Sequence, residues 1–274
     1  MRHAARTLLA LSLLFVITGC AATHADPAAE PFGKTYYLDG AGNWGFGANG
    51  VPTGLREAGY RGDVEHYVWT TTYSPLLDQW NTSGAKRRGA ELAQRIREYR
   101  AAHPDNAVNI VALSAGTGVA VWAVEDLDEN CKIDNLVLLA SSLSHDYDIS
   151  RALAHVSGRI YVYCSQRDGV LRSVPLIGTI DGRRGVAAAG QVGLTPPPLS
   201  RGRVVNVEWD PSYTAYGWSG GHTDCTSQPF VRQILARHVV SSQARLAAQR
   251  RTARTGRATL AAYRFGPPDD GVEP

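Results

Sequence analysis

Asn109-Ile110-Val111-Ala112-Leu113-Ser114-Ala115-Gly116-Thr117-Gly118 is an apolar run that ends on a serine and passes at once into small residues. The run has the length of a buried strand. From Ala115 to Leu127 the chain is apolar nearly all round, through Val119, Val121, Trp122 and Val124, the pattern of a helix buried against the middle of a sheet. A serine between the two occupies a sharp turn with strained backbone angles. Ala112 and Gly116, two residues before and two after it, are small enough to let strand and helix approach closely. The turn aims the N–H of Ala115 and the positive end of the helix dipole at one point, where a developing negative charge is stabilised. The plainer alternative is a serine capping a buried helix of some other α/β fold.

Outward from this stretch, short apolar runs alternate with helix-like segments between residues 34 and 240. The strand candidates are Thr35 to Leu38, Val64 to Thr70, Val108 to Leu113, Leu136 to Ala140, Ile160 to Cys164 and Val204 to Trp209. Leu92, Ala93, Ile96 and Tyr99 recur at helical spacing within Lys86 to Ala102, and a last helix from Phe230 carries Val231, Ile234, Leu235 and Val239 on one face. The alternation predicts an α/β fold, a single doubly wound and mostly parallel sheet of about six strands. Leu143 to Arg159 is too short for a cap domain. Any cover must come from Val174 to Ser200, whose Gly and Pro content predicts a mobile flap.

The chain has 274 residues, 44% of them hydrophobic and 19% charged, which is globular composition and the length of one large domain or two small ones. Lys and Arg number 28 against 25 Asp and Glu. So small an excess implies no polyanion partner, and no nucleic acid. The domain is expected over 34–246. From 247 to 274 the chain decays through Arg250, Arg251, Arg254 and Arg257 into a proline-rich end, which reads as a loose tail.

The segment Leu113-Ser114-Ala115-Gly116 resembles the nucleophile elbow G-x-S-x-G of the α/β-hydrolase superfamily, with alanine for the first glycine. The resemblance implies a serine hydrolase that attacks an ester or other acyl bond, and no metal or organic cofactor. In that fold the triad runs Ser, acid, His along the chain. His222, within Gly217-Trp218-Ser219-Gly220-Gly221-His222-Thr223-Asp224, is the histidine after the last strand and before the last helix, in a loop expected at the carboxyl edge of the sheet. His66 within a strand and His238 on a helix face read as structural, and His145 is the rival. The family places the acid just after the strand Ile160 to Cys164, which nominates Asp168; Asp146 and Asp148 are the alternatives, and Asp224 could orient the histidine loop.

Gly40-Ala41-Gly42-Asn43-Trp44-Gly45 spells the dinucleotide fingerprint G-x-G-x-x-G, but Gly47, Gly50 and Pro52 delay the helix that the fingerprint requires. In the hydrolase resemblance this loop stands where an H-G-x-G motif would, with Asp39 in place of its histidine, and implies the N–H of Ala41 as second oxyanion donor beside that of Ala115. Trp44, Phe46, Tyr213, Tyr216 and Trp218 lie in loops expected to flank the site, where they either favour an apolar acyl group or simply pack the loops. The other class of reading is a noncatalytic surface lipoprotein that uses the fold as a binding scaffold.

Arg2, His3 and Arg6 precede the apolar run Leu8 to Ile17, too short to span a bilayer, so residues 1–19 read as a signal peptide. Ile17-Thr18-Gly19-Cys20 resembles the lipobox of bacterial lipoproteins. That resemblance implies a lipid on Cys20, a tether over 20–33, and an exported protein anchored in the cell envelope; ordinary cleavage near Ala21 or Ala25 is the alternative. Of the remaining cysteines, Cys164 and Cys225 belong at the carboxyl edge and Cys131 at the amino edge. Either Cys164 and Cys225 form a disulfide, or all three are free, buried thiols.

Overall fold

The computed structural model describes residues 26–70, 72–200 and 202–246, with Ala248 and Thr252 beyond them. The expected signal peptide, Cys20 and nearly all of the expected tail lie outside the described residues. Six strands form one sheet: β1 (Lys34–Leu38), β2 (Asp63–His66), β3 (Val108–Leu113), β4 (Asn135–Leu139), β5 (Ile160–Cys164) and β6 (Val204–Glu208). Their order is β2-β1-β3-β4-β5-β6, and every pair is parallel. β1, β3 and β4 are buried along their whole length, as expected of apolar-rich strands in a sheet covered on both faces. β2 stops at His66, four residues short of the expected end. Its last register partner is Tyr37, and β1 ends one residue later. Tyr67 and Trp69 then turn into the core instead of extending the sheet.

The helices α1 (Gly50–Glu57), α2 (Pro75–Trp80), α3 (Thr82–Ala102), α4 (Gly116–Glu125) and α5 (Ser150–Ala154) alternate with the strands. On one face, α3 and α4 pack on the sheet with Leu92, Ile96, Val119 and Trp122 in a single cluster. Gly89 lies so close to the α4 backbone that a Cβ there would sit 3.1 Å from the Val119 carbonyl oxygen. On the other face, α1 and the final helix, which runs from Gln228 through a π turn at Val231–Leu235 to residue 246, bury Leu55, Phe230 and Leu235. The sheet is therefore doubly wound, as expected. α3 begins earlier than its apolar spacing indicates because Asn81 caps it, its Oδ1 accepting from Gly84 N at 3.0 Å.

Two expectations are corrected. The segment from Val174 is no flap: after α6 (Val174–Ile177) it is stitched to the loop behind β4 by Ile180 N to Ser142 O at 3.1 Å, Ala189 N to Leu143 O at 2.8 Å and Gly190 N to Ser141 O at 2.8 Å, with α7 (Ala189–Val192) following. Its glycines at 178, 182, 185 and 193 have φ between 73° and 103° and make tight turns. The second is the disulfide. All three cysteines are free, because the Cys164 thiol faces Val207 O on β6 while the Cys225 thiol turns back to His222 O.

Residues 26–33 are held by the domain. Asp26 N–H bonds Asp63 Oδ1 at 3.0 Å, Tyr99 Oη donates to Glu30 O at 2.6 Å, and Lys34 Nζ, buried at the start of β1, pairs with Glu30, Asp63 and Glu65. Among the described residues no helix is long and apolar enough to cross a membrane.

Candidate active site

Ser114 follows the last residue of β3 with φ of 51°, in the left-handed region that a non-glycine residue occupies only when its surroundings impose it. They do so here. Ser114 N–H bonds Leu139 O at 2.9 Å, and its own carbonyl accepts from Thr117 N at 3.1 Å and Ser142 N at 3.3 Å. Gly116 allows the close approach: a Cβ there would collide with the Asp39 carbonyl oxygen.

The loop after β6 brings His222 over this serine, with Nε2 2.9 Å from Ser114 Oγ. The other ring nitrogen, Nδ1, lies 2.7 Å from Asp168 Oδ2. Asp168 sits in the turn after β5 and is 1% exposed. Its second oxygen accepts from Val170 N and Leu171 N, each at 2.9 Å, so the carboxylate is fixed on both sides. Residues 54 and 108 positions apart in the chain thus meet in one hydrogen-bonded line.

The rivals lie elsewhere. Asp146 is exposed and pairs with Arg183, and Asp148 is exposed and receives Ser150 N at 3.0 Å. The arginine beside Asp146 holds its carboxyl below the usual range. His145 is tied through its backbone to Ala187 and Thr195. His238 lies behind the sheet, stacked 3.6 Å from Tyr161 and 2.9 Å from Tyr163 Oη. Asp224 does orient the histidine loop: its Oδ2 accepts from Ser219 N at 2.8 Å and Gly221 N at 3.4 Å.

Asp39 has a part that its place in the sequence did not reveal. Fully buried, its Oδ1 accepts from Gly40 N at 2.9 Å and Tyr37 Oη at 3.1 Å, and its Oδ2 from Gly45 N at 2.5 Å and Phe46 N at 3.1 Å. The loop is wound around one carboxylate. Gly42 N goes to Asp78 Oδ2 at 2.8 Å and Asn43 N to Gly40 O at 3.0 Å, and Ala41 lines the same cavity as Ser114. Ala115 stands at the N-cap of α4, where an N–H has no partner within the helix. Asn43 Oδ1 meets His66 Nε2 at 3.1 Å, which ties the loop to the end of β2, and burial lowers the His66 pKa.

These groups open into a cavity of about 410 Å³, within the range that small-molecule sites occupy. One wall is Trp44, Phe46, Pro75 and Leu76, and the other Val170, Leu171, Val174 and Ile177. Among the described residues, His222 is the one ionisable side chain lining it. Gln79 and Ser142, near the floor, bond to each other at 3.3 Å. The expected aromatics divide. Trp44 and Phe46 line the cavity, whereas Trp218 is buried against Tyr213, Tyr163 and Phe230 and packs its loop. α2 as a cavity wall was missed; Ser74-Pro75 is a helix-start signal that could have found it.

No family model matches the chain, and neither does any curated protein. Among solved structures it is similar to a cutinase-like protein from Cryptococcus sp., at 16% identity and a TM-score of 0.42 over 77% of this chain and 94% of that one. It is also similar to a predicted CIB-like hydrolase from Thermoplasma acidophilum, at 14% identity and a TM-score of 0.35 over 76% and 86%. Likenesses this distant do not bear on activity or substrate.

Proposed function

We propose that the protein is an exported serine hydrolase, with Ser114 as nucleophile, His222 as general base and then acid, and Asp168 holding the imidazole. The observation that carries the reading is the unbroken line Ser114 Oγ, His222 Nε2, His222 Nδ1, Asp168 Oδ2, with contacts of 2.9 and 2.7 Å, at one end of an apolar cavity. Ser114 Oγ attacks the carbonyl carbon of an ester while its proton passes to His222 Nε2. The carbonyl oxygen, now negative, is received by the N–H groups of Ala41 and Ala115 at the positive end of α4. Collapse breaks the carbon–oxygen bond, and the departing alkoxide takes the proton from His222. Water, deprotonated by the same nitrogen, then releases the acid and restores Ser114.

Cavity walls without charge favour an ester whose acyl or alcohol part is apolar. A lipid on Cys20 would fasten the exported chain to a bacterial membrane. The test is labelling with a fluorophosphonate probe. The wild-type chain is expected to label, and Ser114→Ala to abolish labelling and lower ester turnover about a million-fold while the fold is kept. Equal labelling of the two proteins would end the reading.

A further inference from the structure

Helix α2 is inside out. Its polar residues Asp78 and Gln79 are buried, the first bonded to Gly42 N and Thr72 Oγ1, the second to Gly178 O and Ser142 Oγ. Its apolar residues face solvent: Leu76 is 50% exposed, Leu77 55% and Trp80 54%. Around the cavity mouth the same holds. Trp44 is 63% exposed and Phe46 50% on one side, and Val170 is 53% and Leu176 82% on the other. Two hydrogen bonds join these pieces, Trp44 Nε1 to Tyr73 O at 3.3 Å and Trp80 Nε1 to Ile177 O at 2.9 Å. Most of the exposed large hydrophobic side chains among the described residues therefore form one collar around one opening. Scattered apolar residues need no explanation, but a contiguous patch does.

The collar also carries little charge. In the stretches 40–50 and 72–80 the one charged residue is the buried Asp78, and in 170–180 it is the exposed Arg172. What meets this surface is largely uncharged, since burying an ion against it away from Arg172 would leave that ion without a partner. Its place relative to the start of the domain narrows the occupant further. Asp26 is bonded to the beginning of β2, at the amino edge of the sheet, while Ser114 follows the end of β3 at the opposite edge. Five residues separate Cys20 from Asp26, so the reach between the two is at most about 20 Å. The anchor on Cys20 proposed above would hold the amino edge toward its membrane and turn the collar away from it.

We propose that the collar docks the protein onto the surface of an aggregated, uncharged ester, separate from the anchoring membrane, so that single substrate molecules pass from that phase directly into the cavity. This rests on the hydrolase reading above. Leu77 and Leu176 belong to the collar but do not line the cavity, so they separate docking from chemistry.

Emulsified tributyrin is the probe. Adsorption is measured first with Ser114→Ala protein, in which binding does not depend on turnover. Droplets are expected to deplete it from solution, and adding Leu77→Asp with Leu176→Asp to weaken that partition by about tenfold or more. In the active chain the same pair is expected to cut tributyrin turnover to a similar degree, while dissolved p-nitrophenyl acetate is hydrolysed within about twofold of wild type. Undiminished adsorption, or equal losses on both esters, overturns the proposal. So does a dimer in sedimentation that the pair of substitutions dissolves, or a preference for phosphatidylglycerol vesicles over droplets. Failure of the hydrolase reading has a different signature: the wild-type chain turns over neither ester, and the adsorption of Ser114→Ala protein is unaffected by that result.

Discussion

Asp168 is engaged on both oxygens, one facing His222 and the other accepting from two backbone N–H groups. Asp168→Asn keeps the volume but must turn an amide NH₂ toward one of those partners, and it removes the charge that stabilises an imidazolium. Turnover is expected to fall by about four orders of magnitude. Asp146→Asn and Asp148→Asn, on exposed carboxylates, are expected to change it little, and kcat/KM for a soluble ester ranks the three. Asp39 poses a different problem, since it touches no substrate and acts through its loop. Asp39→Ala leaves the N–H groups of Gly40, Gly45 and Phe46 without their acceptor and frees Ala41 to move. The expected loss is about 10² to 10³ in kcat with KM nearly constant, the size of one missing oxyanion donor, and Asp39→Asn should restore part of it. The serine, histidine and first acid were legible because a strained turn and a fixed chain order select them. The work of Asp39 was not, since it depends on residues up to seven positions later folding back onto it.

At the level of elements, the central strands announced themselves because a parallel sheet covered on both faces favours apolar runs. The length of β2 did not, because it is set by where its neighbour departs. The segment after α6 was misread for a related reason: glycine gives positive φ to a fixed turn as readily as freedom to a loose one, and only the hydrogen bonds distinguish the two. The final helix carries a measurable signature of its packing. Burial, with Arg237 and Arg159 nearby, lowers His238 to about 4 from its ordinary 6.5. Between those values the unfolded chain takes up a proton that the folded chain refuses. Stability from this group is complete above pH 6.5 and declines as pH falls toward 4, by up to about 3 kcal/mol. Urea midpoints at pH 7 and pH 5 should differ accordingly, and His238→Phe should flatten that difference.

For the molecule as a whole, one parallel sheet divides labour between its edges: the chain enters and is braced at the amino edge, and the cavity opens at the other. The domain was expected to begin at residue 34, yet residues 26–33 are joined to it by Asp26, Glu30 and by Phe32, whose carbonyl accepts from Gln243 Nε2 and whose ring lies under Arg61. No periodicity marks so short a brace. A chain starting at Lys34 is expected to lose about 2 to 4 kcal/mol relative to one starting at Asp26, counting roughly 1 kcal/mol for each hydrogen bond removed. Chemical denaturation of the two chains measures it.

The thiol of Cys225 is fully buried directly beneath the backbone of His222, and burial drives its pKa far above the ordinary thiol value; Cys164 is pushed up to about 12. A thiol so protonated and enclosed is inert while the fold is closed. It becomes a clock for the loop above it, since a reagent such as dithiobis-nitrobenzoate can reach it only when the His222 loop lifts. The partly exposed Cys131 should react promptly, and the Cys225 rate should then report how often that loop opens. If ligands that fill the cavity slow that clock, the motion being timed is the one that assembles the site. If the rate follows global unfolding instead, His222 is held in place as firmly as the core itself.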